Sequence, residues 1–199
     1  MKTKTYIKLI IGVFVLFSCK QYIEKEKTNY KYYDLTEIDT VFKSVLTAVT
    51  DEEYLQYGVN IAFIDENGDT IIPFGKYAYF GSDTLEYFAN VIEHPNDSTW
   101  GRYVGIDRNQ NILFDLVIFD NGPDYFNEDL TRILRNGKMG FANKFGQVVI
   151  PCKYDFAKYF KDGKAGVTFS AREYDDLEEH RRVESDEWFY IDKKGNKTD

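Results

Sequence analysis

The stretch "GKMGFANKFGQVVIPCKYDFAKYFKDGKAGV", Gly137 to Val167, decides the fold. An apolar run around Met139-Gly140-Phe141 meets a polar turn at Gly146. A second apolar run, Val148-Val149-Ile150, ends at Pro151. Gly146 tolerates positive φ, as a tight turn between two antiparallel strands requires. The chain continues with a strand-like run to Phe160, a turn at Asp162-Gly163 and a return. Val149 and Tyr154 are expected to point inward.

Pieces of the same pattern recur. "IAFIDENGDTIIP" spans Ile61 to Pro73, "YVGIDRNQNILF" spans Tyr103 to Phe114, and "WFYIDKKGNK" spans Trp188 to Lys197. The aligned turn residues are Gly68, Gln110, Gly146 and Gly195, which stand 42, 36 and 49 residues apart. A period of roughly 20–50 residues marks repeat architecture. A lone two-stranded hairpin is marginal in water, and stacking neighbours buries its apolar face. The expected fold is therefore all-β: an array of antiparallel β-hairpin repeats, solenoid- or propeller-like. One short N-terminal helix is allowed near residues 36–49, where Leu35, Ile38, Phe42, Val45, Leu46 and Val49 fall at helical spacing and Thr36 with Asp39 could start it.

The third copy resembles the WG-repeat proteins, a bacterial family named for a Trp-Gly pair before the hairpin. It keeps Gly140, the turn Gly146, Val149-Ile150-Pro151, Tyr154-Asp155, Phe160 and Gly163. The first copy has Ala62 at the paired glycine, the second has Gln110 at the turn, and in the fourth Phe189 follows Trp188. The resemblance covers about residues 58–197. It implies an antiparallel β array and no particular activity.

The first residues read as an address. Lys2, Lys4 and Lys8 precede an uncharged apolar run from Leu9 to Phe17, too short for the ~20 residues that span a bilayer as a helix. Leu16-Phe17-Ser18-Cys19 resembles the lipobox of bacterial lipoproteins, which implies lipid attachment at Cys19 and cleavage after Ser18. The expected organisation is a lipoprotein signal peptide over 1–18, a tether over 19–34, an N-terminal cap over 35–57 that holds the allowed helix, and a WG-like β-repeat domain over 58–199. By the same resemblance, Lys20 stands where an Asp often holds lipoproteins at the inner membrane, which implies the outer membrane, periplasmic face first and cell surface second.

The net charge of −8 argues against nucleic acid, whose binding needs a basic stripe. Loss of residues 1–18 removes three Lys and no acid, leaving 22 basic and 33 acidic residues, or −11. With Cys19 lipidated, Cys152 is the one remaining thiol, and it reads as a small buried apolar residue. Asp65 to Asp69 hints at a calcium loop, but its Gly is fourth rather than sixth and Lys76 stands at the twelfth position, so the turn reading is preferred. Asp120 to Asp124 reads as another turn. Glu178, Glu179 and His180 are adjacent with no second His nearby, which is poor zinc spacing. His94 lies in a loop-like stretch, and no Gly-x-Ser-x-Gly or phosphate-binding glycine loop is present. No cofactor, metal or catalytic residue is expected. The charged segment 171–187 reads as a solvated loop or hairpin tip.

These features suggest a non-catalytic lipoprotein that meets the membrane through lipid on Cys19 and binds an envelope protein or glycan. The alternatives are an immunity or inhibitor protein against a basic toxin, and a glycan-active hydrolase.

Overall fold

The structure is a computed structural model that describes residues 29–37, 44–93, 101–175 and 181–199. All regular structure among them is strand. The first part of the chain forms β1 (Leu46–Val49), β2 (Asn60–Ile64), β3 (Thr70–Tyr79), β4 (Thr84–Leu85), β5 (Ala89–Glu93), β6 (Arg102–Ile106) and β7 (Ile112–Leu116). The middle forms β8 (Ile118–Phe119), β9 (Gly122–Pro123), β10 (Leu130–Arg135), β11 (Lys138–Asn143), β12 (Val148–Tyr154) and β13 (Phe156–Ala157). The last part forms β14 (Ala165–Thr168), β15 (Arg172–Asp175), β16 (Arg181–Glu184), β17 (Phe189–Ile191) and β18 (Lys197–Thr198).

One ten-stranded sheet has the order β12-β11-β10-β7-β6-β5-β3-β2-β1-β4, with every pair antiparallel. In it three repeat hairpins, β2–β3, β6–β7 and β11–β12, are joined by linking strands, while β4 crosses to pair with β1 at the edge. After Asp155 the chain leaves for a four-stranded sheet, β13-β14-β17-β18, which holds the fourth hairpin.

The four aligned turns share one geometry. Asp65, Asp107, Asn143 and Asp192 each donate their N–H to the carbonyl four residues on and accept the N–H from three residues on, at 2.9–3.1 Å. In each, the side-chain oxygen also takes the N–H four residues on, at 2.8–3.1 Å. The residue before that closure has positive φ: 85° at Gly68, 65° at Gln110, 80° at Gly146 and 80° at Gly195. This is a three-residue hairpin loop ending in a left-handed bulge residue. Four further two-residue turns, Asp120-Asn121, Glu128-Asp129, Asn136-Gly137 and Asp162-Gly163, have both central residues at positive φ, the mirror-image turn that matches strand twist.

Three cores sit along the array. Leu46, Phe63, Ile72, Tyr77, Val91 and Val104 are among the first. Leu113, Phe114, Ile133 and Ala142 belong to another. The last lies where the two sheets meet and joins Met139, Phe141, Ile150 and Tyr154 to Phe160, Val167 and Ile191. Within β11, Met139 and Phe141 enter the last core while Ala142 enters the middle one, so the strand is buried on both faces and reads as a continuous apolar run. Gly140 lies against β12: a Cβ there would be 2.5 Å from the Ile150 carbonyl and 2.7 Å from the Cys152 nitrogen. That approach explains the small residue at this place in the third repeat.

Two expectations are corrected. The short N-terminal helix gives way, over its last part, to strand β1, in which Leu46 and Ala48 are buried and Thr47 is exposed. Alternation with period two, satisfied by pairing to β2, wins over the helical spacing. Residues 38–43 of that expectation lie outside the described residues. Val149 is 38% exposed, and it is Ile150 that is fully buried. The bulged register between β11 and β12 shifts which residues face inward. Tyr154 is buried as expected.

Candidate functional site

The Asp carboxylate that opens each of three repeat turns is engaged by its own loop. Asp65 accepts the N–H groups of Asn67 and Asp69, each at 2.9 Å. Asp107 accepts from the Asn111 backbone and side chain at 2.8 and 2.9 Å. Asp192 accepts from Lys194 and Asn196, and the Asn196 backbone bond is the first cause of its lowered pKa. These are structural acceptors. Asp120-Asn121 is a two-residue turn, as its sequence suggested.

Cys152 is half-buried, and burial pushes its thiol up to about 12. A neutral thiol packed against the middle core is a filler, not an activated nucleophile. Cys19, His94, Glu178, Glu179 and His180 lie outside the described residues. The charged segment 171–187 forms the β15–β16 hairpin in its described part, with Arg172 paired to Asp186 at 2.6 Å. Its base is tied down by hydroxyls: Ser185 Oγ lies 2.5 Å from Thr168 Oγ1 and 2.9 Å from Ser170 Oγ.

Two ionic clusters among the described residues, one buried and one partly buried, were not visible in sequence, because their members are distant in the chain or unremarkable in type. Arg132 and Asp124 form a two-pronged pair at 2.7 and 2.8 Å, with only 9% and 4% of their side chains exposed. The same guanidinium donates to the Ala157 carbonyl at 3.3 Å, so it links β10 to β13 of the other sheet. A small cleft beside this pair, walled by Phe88, Phe114 and Phe126, has room for about one water, at ≈ 10 Å³. That is far short of a pocket for an organic ligand. The second cluster is Arg102 with Asp115 at 2.5 Å, over which Tyr32 donates its hydroxyl to the other Asp115 oxygen at 2.5 Å. Burial, with that bond second, pushes the Tyr32 hydroxyl up to about 12, so it remains a neutral donor.

The exposed surface is more distinctive. Around the β8–β9 hairpin, Ile118, Phe119, Tyr125 and Phe126 are 45–62% exposed. Phe119 and Tyr125 pack edge to face with ring centres 6.1 Å apart. Tyr57, 54% exposed, adjoins the hairpin, since a Cβ on Gly122 would lie 3.3 Å from its hydroxyl. Tyr57 then packs on Phe80 at 4.9 Å, and Phe80 on Tyr103 at 4.6 Å. The result is a group of exposed rings at the β8–β9 hairpin and Tyr57, from which the buried Phe80 leads on to Tyr103. The composition signalled it only as an excess of Tyr and Phe, because which rings are left outside depends on how the hairpins stack.

Residues 139–169 match the family model described as WG containing repeat, so the third hairpin and the segment running into β14 are a WG repeat. No curated protein and no solved structure matches the chain.

Proposed function

We propose that this WG-repeat chain is a non-catalytic, membrane-anchored binding protein, attached through lipid on Cys19 and presenting its β array to an envelope protein or glycan. The observation that supports the reading is the group of exposed rings Tyr57, Phe119, Tyr125 and Phe126 around the β8–β9 hairpin. Large aromatic side chains left in water at one place are a recurrent mark of recognition surfaces, since they bury much area with few rotors on binding. The turn acids are engaged by backbone, which leaves the array as a rigid support. The lipid-anchor part rests on the Lys-rich start, the short apolar run and the Leu-Phe-Ser-Cys ending. Attachment at the periplasmic face of the outer membrane is the location this reading prefers.

Crosslinking in intact envelopes tests it. Phe119→Ser with Tyr125→Ser should lose most of the captured partner while the array still melts cooperatively. Cys19→Ala should lose lipid labelling and release the chain from the membrane. Capture unchanged in the double variant would refute the aromatic surface, and lipid label unchanged in Cys19→Ala would refute the anchor.

A further inference from the structure

The residues just after the anchor region are fastened to the array at several points. The Tyr30 N–H donates to Asn136 Oδ1 at 2.8 Å, and the Asn136 N–H donates to the Tyr32 hydroxyl at 3.1 Å. The Tyr33 N–H donates to the Ile112 carbonyl at 2.8 Å. Arg135 gives one guanidinium nitrogen to Asp34 at 2.5 Å, another to the Tyr33 carbonyl at 2.9 Å, and its Nε to the Leu113 carbonyl at 2.8 Å. Leu35 then packs on the middle core.

These contacts fall where the array has a notch. β10 pairs with β7 only at Ile133↔Leu116 and Leu134↔Asp115. Beyond that, β10 turns away at Asn136-Gly137, and the Ile112 and Leu113 carbonyls of β7 would lack a strand partner on that side. The segment Tyr30–Leu35 and the Arg135 side chain supply the missing donors. Tyr30 and Tyr32 also cover Arg102, with ring centres 3.7 and 5.3 Å from its guanidinium carbon. Arg102 Nη2 is buried with no hydrogen-bond partner among the described residues, so the ring faces carry part of its charge interaction.

We infer that Tyr30–Leu35 is a strap that closes the notch between the second and third repeats and, given the anchor reading above, holds the β10–β11 turn close to the bilayer. Ten residues lie between Cys19 and Tyr30, so the eleven Cα steps reach at most about 40 Å when fully extended. Freed as far as Glu37, the same chain would reach about 60 Å. The strap thus sets both the standoff of the array and which side of it lies nearest the membrane, which a tether free to residue 34 would not do.

The test uses the full lipidated chain in vesicles of phosphatidylethanolamine and phosphatidylglycerol, with Cys152→Ala and a donor dye on Lys138→Cys. Energy transfer to an acceptor on the lipid headgroups is measured with the strap intact and with Tyr32→Ala plus Arg135→Ala. Transfer should fall by at least a third when the strap is freed. Amide exchange at Tyr33 in the unaltered chain gives a second readout independent of any variant, and it should be slowed at least a hundredfold relative to a free peptide. Equal transfer in both proteins with lipid present on Cys19, or free-peptide exchange at Tyr33, overturns the strap alone. Absence of lipid on Cys19 overturns the anchor reading and the standoff with it.

Discussion

Gly146 rests on Leu113: a Cβ at the third turn would lie 2.9 Å from Leu113 Cδ1 in the preceding hairpin. The same relationship recurs one repeat later, where a Cβ on Gly195 would lie 3.3 Å from Ile150 Cγ2. In the second repeat Gln110 occupies the turn, and its side chain accepts from Lys76 Nζ of the first hairpin at 2.5 Å. Gly68, in the first repeat, meets nothing within 4 Å. Each turn therefore sits on the hairpin before it, and the first has no predecessor to touch. Stacking of this kind is how a repeat buries what a lone hairpin leaves open.

This relationship separates two costs of replacing the turn glycine. Gly68→Ala should show the left-handed backbone cost alone, about 1 kcal/mol. Gly146→Ala adds an overpacked contact with Leu113 and Phe88, so its cost should reach about 2–4 kcal/mol. Urea titration of both proteins measures the difference. Equal losses would mean that the third turn does not bear on the second repeat.

Asp124 and Arg132 should behave as a buried pair. Asp124→Ala strands a guanidinium that is almost out of solvent, at a cost of about 3–5 kcal/mol. The double replacement Asp124→Leu with Arg132→Met removes both charges and should recover most of that loss. If the double variant is no more stable than Asp124→Ala, the pair is not the reason for the loss. Denaturation midpoints decide between them.

Legibility in the sequence followed the range of the interactions. The four repeat turns could be read because an Asp or Asn side chain fixes each locally, with a glycine three residues on in all but the second, where Gln110 stands. The inward set of β12 was misread at Val149 because the bulge inserts one residue and reverses the phase counted from the turn. β1 was open to a helical reading because Leu46 and Val49 stand three residues apart, and only pairing with β2 selects the strand that buries Leu46 with Ala48. The strap and the Asp124–Arg132 pair depend on contacts between segments 8 to more than 100 residues apart, for which a single sequence holds no pattern. The exposed aromatic group was legible as composition and not as position.

Cys152 provides a check on packing in the middle core. With its thiol pushed up to about 12 by burial, little thiolate forms at neutral pH. In a chain carrying Cys19→Ser, iodoacetamide at pH 8 should modify Cys152 at least a hundredfold more slowly in the folded protein than in 8 M urea. Comparable rates would show that β12 opens readily next to Gly140.

Glu128 ties three repeats together from the tip of its own turn, and this gives a pH signature. Its carboxylate accepts the Gly163 N–H, with both oxygens at 3.1 Å, and pairs with Lys193 Nζ at 3.1 Å in the fourth repeat's turn. The Gly163 bond, followed by Lys193, holds its pKa below the ordinary glutamate value. A carboxylate whose folded pKa is depressed stabilises the fold above its unfolded pKa, about 4.3, and loses that contribution as the pH falls through the lower folded value. Asp186 and Asp192, also depressed, act with the same sign, but they are present in both proteins of a comparison and cancel. The difference in urea midpoint between wild type and Glu128→Gln should therefore be constant from pH 7 to 5, favour the wild type, and shrink progressively below about pH 4.3. The group is exposed, so the plateau should be small and should diminish further in 1 M salt. A midpoint difference that does not change with pH would mean that Glu128 acts through packing, and that the repeats are not joined by its charge.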